Sequence, residues 1–111
     1  MRASWYEKTG PAIDVLQIGK METPEACDNE VRIKIFASGV NPADVKLRAG
    51  QSSYGYNFDR VIPNSDGAGI IDQVGPGVSK NRIGQRVWLF NGQRLGRAFG
   101  TAAEYLSLIH I

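Results

Sequence analysis

Most residues able to do chemistry in this chain sit in two short stretches punctuated by glycine. The first, Gly39-Val40-Asn41-Pro42-Ala43-Asp44-Val45-Lys46, offers an amide, a carboxylate and an ammonium group close together. The second is Asn64-Ser65-Asp66-Gly67-Ala68-Gly69. A Gly67-x-Gly69 pair suits a backbone that cradles a pyrophosphate, but a dinucleotide fingerprint also needs a strand before it, a helix after it and a third glycine. Asp72 stands where that third glycine belongs, and Pro63 and Asn64 stand where the strand belongs. The glycines therefore read as sites of tight strand packing and positive backbone dihedrals. Cys27 is the only cysteine and His110 the only histidine, so a thiolate-rich metal site and an intrachain disulfide are both excluded.

These residues need a scaffold, and alternation supplies it. Val31, Ile33 and Ile35 alternate with Arg32 and Lys34, the signal of a half-buried strand running from Glu30 to about Val40. Asn41-Pro42 breaks it and opens a short helix over residues 42–48. Proline suits the first turn, Asp44 favours the dipole, and Gly50 stops the helix. Further strands are expected over residues 2–6, at Val15, Leu16 and Ile18, and over residues 69–74, 86–90 and 99–106. Gly75-Pro76-Gly77 and a hairpin at Asn91-Gly92 provide turns. Residues 51–60 read as a polar, aromatic loop. Short strands at even spacing with glycine turns predict an all-β barrel or sandwich.

The 111 residues suffice for one domain with a modest core, and 42% hydrophobic content with 22% charged argues against disorder. A net charge of +2 comes from scattered lysines and arginines, so a solvated strand face is favoured over a nucleic-acid footprint. The first residues lack the apolar stretch of a signal peptide, and no segment is long and apolar enough to span a membrane. With one cysteine, the chain reads as cytoplasmic, with neither nucleic acid nor membrane as a partner.

Three stretches together carry a family resemblance. They are Ala37-Ser38-Gly39-Val40-Asn41-Pro42-Ala43-Asp44-Val45, the run from Ile62 through Gly75-Pro76-Gly77-Val78, and Ile83-Gly84-Gln85-Arg86-Val87-Trp88. In order and spacing they resemble the N-terminal, GroES-like domain of the medium-chain dehydrogenase/reductase superfamily, within it the zinc-free quinone oxidoreductase (zeta-crystallin-like) branch. The resemblance implies a mainly β fold: a GroES-like, partly open β-barrel with a short helix over residues 1–105. It also implies a nucleotide-binding Rossmann domain in the parent protein that is missing here. In zinc-dependent members a cysteine follows the Gly-Val pair and a histidine precedes the acid of the second stretch. Asn41 and Ser65 stand in those places, which implies no zinc.

The resemblance further implies NADPH as cofactor and a quinone or similar enone as acceptor, with hydride transfer needing no protein nucleophile. Asn41 is then the catalytic amide, donating to the developing oxyanion, and Asn41, Pro42, Asp44 and Lys46 border the cofactor. The plainer alternative is that Asn41-Pro42 only starts a helix and Asp44 only serves its dipole. Related reductases often carry tyrosine at position 46; Lys46 is suited to a phosphate or an acidic substrate, or to solvent. Tyr54 and Tyr56 lie in the loop over the substrate mouth, for recognition or for packing. Ser65 and Asp66 complete the pocket, expected as a hydrogen-bonded pair in the vacated metal site. Members commonly pair as homodimers through the missing domain. The alternatives are an enoyl or alkenal reductase of the same superfamily, and a stand-alone GroES-like co-chaperonin or binding module.

The last six residues, 106–111, read as a translated sequencing adapter, hence as a non-native tail on a truncated fragment; a natural apolar strand ending is the alternative. Sequencing the gene past the codon for Tyr105 checks this: an open frame leading into a strand, a glycine-rich turn and a helix is expected.

Overall fold

The structure, a computed structural model, describes residues 1–51, 58–93 and 97–109. Tyr54, Tyr56 and His110 lie outside the described residues. A first ribbon pairs β1 (Arg2–Trp5) with β2 (Gln17–Lys20), antiparallel, with the single-turn helix α1 (Ala12–Val15) between them. The larger sheet contains β3 (Glu30–Gly39), β4 (Asp66–Val74), β5 (Arg86–Leu89) and β6 (Tyr105–Ile109), in the order β5-β4-β3-β6. Helix α2 (Pro42–Ala49) leaves the end of β3. Fold and architecture are thus mainly β and open: β5 and β6 are the edges of the sheet, yet both line one small apolar cavity with Val31, Ile33 and Ile71. The sheet curls without closing.

Alternation builds the core of this sheet. Val31 and Ile33 from β3, Ile71 from β4, Leu89 from β5, and Leu106 and Leu108 from β6 are all buried in one cluster. Each such burial contributes about 1.5–3 kcal/mol. Register shifts between Arg32 and Ile33 and between Ile35 and Ala37 bend β3 and end its simple alternation. Phe36 follows Arg32 and Lys34 on the outer face of β3 and is 65% exposed. A second cluster holds Ala3, Trp5 and Ile62, and a third holds Tyr6, Val15 and Val61.

Several local expectations are corrected. Val15 and Leu16 are not strand: Pro11, with its fixed φ of −62°, starts the α1 turn, which buries Val15 against Tyr6 and Val61. Ile18 is in a strand as expected, on the exposed face of β2. Asn91 adopts a left-handed φ of 60°, but no hairpin follows, because among the described residues β5 pairs with β4 alone. The last strand is Tyr105–Ile109, not 99–106; Phe99 contributes only an isolated bridge to Ile62. Residues 106–109 thus pair with residues 30–33, and Leu106 and Leu108 alternate inward whatever the origin of their codons.

Gly67 and Gly69 have ordinary backbone dihedrals, so close packing is their purpose and positive φ is not. A Cβ at Gly69 would stand 2.0 Å from the Lys34 carbonyl oxygen. Gly69→Ala is expected to destabilise the chain by about 1–3 kcal/mol through this backbone clash, measured as a lowered midpoint of urea unfolding.

Candidate functional site

The site is assembled where β3 ends and β4 begins. Gly39 pairs with Asp66 in the β3–β4 ladder, so the residues after Gly39 lie beside those before Asp66. Asn41 follows as the N-cap of α2, with extended backbone (φ −116°, ψ 160°) and Pro42 at the first helical position. A residue before proline is held extended by the ring's steric demand, so this entry into the helix is locally encoded. Gly50, at φ 81°, terminates α2 in the left-handed region.

Four polar groups meet here. The Asn41 side-chain Nδ2 donates to Asp66 Oδ2 at 2.6 Å. The Asn41 backbone N–H donates to Asp44 Oδ2 at 2.7 Å, the reciprocal arm of a capping box. Asp44 also accepts from the Ser65 backbone N–H, and its residue exposure is only 6%. Burial, the largest influence, pushes the Asp44 carboxyl above its ordinary range. The Asn41 N–H pulls it back, the Asp66 charge pushes it up again, and the Ser65 N–H pulls it down.

A polar chain, buried at Asn64 and Thr101 and exposed at Ser38, supports this group from below. Asn64, held at a left-handed φ of 77°, donates Nδ2 to Ser38 Oγ at 2.9 Å. Ser38 and Thr101 hydroxyls are 2.7 Å apart, and Thr101 Oγ1 lies 2.7 Å from the Asp66 carbonyl oxygen. Thr101 has one hydroxyl proton and spends it on Asp66, so the direction runs from Asn64 to Ser38 to Thr101 to Asp66. Sequence reasoning missed Ser38, Asn64 and Thr101 in this role. The one local signal was asparagine after Pro63, a residue that tolerates left-handed backbone.

The expected Ser65–Asp66 hydrogen-bonded pair does not form. Ser65 Oγ donates to the Gln93 carbonyl at 2.5 Å, and the Ser65 carbonyl accepts from the Gly92 N–H at 2.7 Å. The Asn91-Gly92 turn therefore packs on the site. Asp66 turns instead to Asn41. Pro42 and Lys46 are exposed along α2, and Asn41 is half-buried, whereas the Asp44 carboxylate faces inward. Its place inside the capping box separates it from the other three residues expected to border a cofactor.

The residues present do not fit a zinc ion. The two groups standing where resemblance would put its ligands are an amide donating to a carboxylate and a hydroxyl donating to a carbonyl. Among the described residues, no group of three or more histidines, cysteines, aspartates or glutamates is placed to hold a metal. An amide carries two N–H groups, and among the described residues Asp66 takes one and no acceptor takes the other.

Because its folded pKa is raised, Asp44 contributes stability that is full below its unfolded pKa and is lost as pH rises through its folded value. Asp44→Asn removes that dependence. Relative to the unsubstituted chain, the variant is expected to gain stability steadily as pH rises through the acid range and then to level off, measured by urea unfolding across pH.

The alcohol dehydrogenase GroES-like domain family matches residues 27–109. Over 86 residues the chain is 38% identical to a quinone oxidoreductase of Rattus norvegicus, covering 78% of this chain and 26% of the relative. Over 112 residues it is 30% identical to a chloroplastic NADPH-dependent alkenal/one oxidoreductase of Arabidopsis thaliana, covering 97% and 29%. A mycobacterial protein solved in complex with NADPH superposes with a TM-score of 0.80 at 28% identity, over 98% of this chain and 31% of that one. The chain spans about a quarter of the length of the curated relatives it matches. With the β3–α2–β4 arrangement in place and the family match covering all of it, the chain belongs to the alcohol dehydrogenase GroES-like domain family.

Proposed function

We propose that this chain is the substrate-side domain of an NADPH-dependent reductase that passes hydride to a quinone or a similar electron-poor acceptor without zinc. The observation that carries the reading is Asn41: a half-buried amide with one N–H anchored on Asp66 and the other unclaimed among the described residues. The names of the quinone oxidoreductase and alkenal/one oxidoreductase relatives support the same class of acceptor.

NADPH, when bound, supplies the hydride; this chain supplies position and polarity. Asn41 offers its second N–H to the acceptor oxygen as negative charge builds there, which lowers the barrier without a proton-transfer group of unusual pKa. Pro42 and the exposed Lys46 border the nicotinamide end, and Lys46 adds a positive charge suited to a phosphate or an acidic acceptor. Asp44 acts one step back, by holding the Asn41 backbone. Ser65 and Asp66 form the wall behind Asn41, and Tyr54 and Tyr56 are assigned to the acceptor mouth from sequence. The glycine-rich turn and helix that bind pyrophosphate belong to a further domain of the complete protein, through which it forms a homodimer. An alkenal or enoyl acceptor is the second reading, favoured by the Arabidopsis relative, which matches 97% of this chain.

Complete protein mixed with NADPH and a simple benzoquinone is expected to lose NADPH absorbance at a rate that a metal chelator leaves unchanged. Asn41→Ala is expected to lower kcat by about 10²-fold, the usual cost of one oxyanion donor. The 111-residue chain alone is expected to show no turnover. Turnover with enals but not quinones would move the assignment to the second reading; chelator-sensitive turnover would overturn the zinc-free mechanism.

A further inference from the structure

A side-chain amide has two orientations that exchange its oxygen and nitrogen, and they present opposite chemistry to a ligand. At Asn41 three constraints remove that freedom. Pro42 and the N–H bond to Asp44 fix the backbone, so the side chain leaves from a set position. Asp66 Oδ2, at 2.6 Å, accepts a hydrogen bond that only the nitrogen can give; exchange would set two oxygens against each other at that distance. Asp66 is itself immobilised, through its ladder partner Gly39 and through Thr101, which donates to its carbonyl.

We infer that Asp66 is a positioning residue that locks the Asn41 amide in one orientation, so that the second N–H is aimed in a single fixed direction at the reacting oxygen. The structural half of this inference stands on the geometry; its catalytic half rests on the reductase reading above. Of the neighbouring groups, Ser65 Oγ is engaged with Gln93, and the other arm of the capping box, the Asp44 backbone N–H toward the Asn41 side-chain oxygen, favours the same orientation. The short charge-assisted bond also gives the lock its strength, because such bonds are about twice as strong as neutral ones. An asparagine at position 66 keeps an acceptor oxygen but loses the charge, whereas an alanine loses both.

Side-chain amide resonances of Asn41 in the 111-residue chain, read by ¹H–¹⁵N NMR, test the lock. One Nδ2 proton is expected well downfield of an exposed amide, partly shifted back in Asp66→Asn and fully back in Asp66→Ala. Wild-type protons at exposed-amide positions would overturn the lock, and Asp66→Asn gives the answer if Asp66→Ala fails to fold. In the complete protein, Asp66→Ala is expected to lower kcat by about 10- to 100-fold, the scale of a misplaced group. The KM for NADPH should stay within about twofold, and Asp66→Asn should restore most of the rate. Loss of rate in Asn41→Ala but not in Asp66→Ala refutes the positioning role and leaves the reductase reading intact. Unchanged kcat in both refutes the role of Asn41 as well.

Discussion

Between Gly39 and Val31 the backbone of β3 lies against β4 so closely that Gly69 leaves no room for a side chain beneath the Lys34 carbonyl. This ladder sets the rest. Its inner face supplies Val31, Ile33 and Ile71, on which β5 and β6 each place their leucines. Its outer face carries Arg32, bonded by two nitrogens to the Asp72 carboxylate across the ladder, with the ring of Tyr105 5.0 Å from the guanidinium. That contact raises the arginine pKa mainly through the Asp72 hydrogen bond, and the same guanidinium donates to the Pro24 carbonyl, tying that segment to the sheet. The upper end of the ladder delivers Asn41 to Asp66. Core and site are therefore consequences of one register.

The two ends of the ladder are built differently. Below, the packing is apolar and tolerant of exchange among similar volumes. Above, a run of polar side chains passes from the buried Asn64 through the exposed Ser38 and the buried Thr101 to Asp66. Its buried members, Asn64 and Thr101, each need their partners, because an unmatched buried polar atom costs about 1–3 kcal/mol. The polar end thus trades tolerance for a fixed geometry, which suits a place where an amide must be held still.

Much of this was legible in the sequence, for identifiable reasons. The β3 strand and the α2 helix announced themselves through alternation, Asn41-Pro42 and Gly50, all signals that act within a few residues. Val15 and Leu16 misled because apolar character alone does not distinguish a short strand from a helical turn; Pro11 decided for the turn. Asn91-Gly92 carried a hairpin signal that the chain spent on packing against Ser65. The site residues were legible only as types. That Asp66 would turn to Asn41, and Ser65 to Gln93, depends on contacts across 25 and 28 positions of chain, which local patterns do not encode.

Gly39 and Asp66 also form the base of an excursion that carries α2 and the following loop. Its two ends are stapled by the ladder, and within it Val61 and Ile62 are buried and bridged to Tyr6 and Phe99, so its return limb is fixed as well. Lengthening the loop after α2 costs only about 0.6 kcal/mol for each doubling of a flexible loop. Such lengthening would not pull Asn41 away from Asp66, because the two are held at the staple. A scaffold of this kind separates the part that must not vary, the staple and the buried return limb, from the part free to vary.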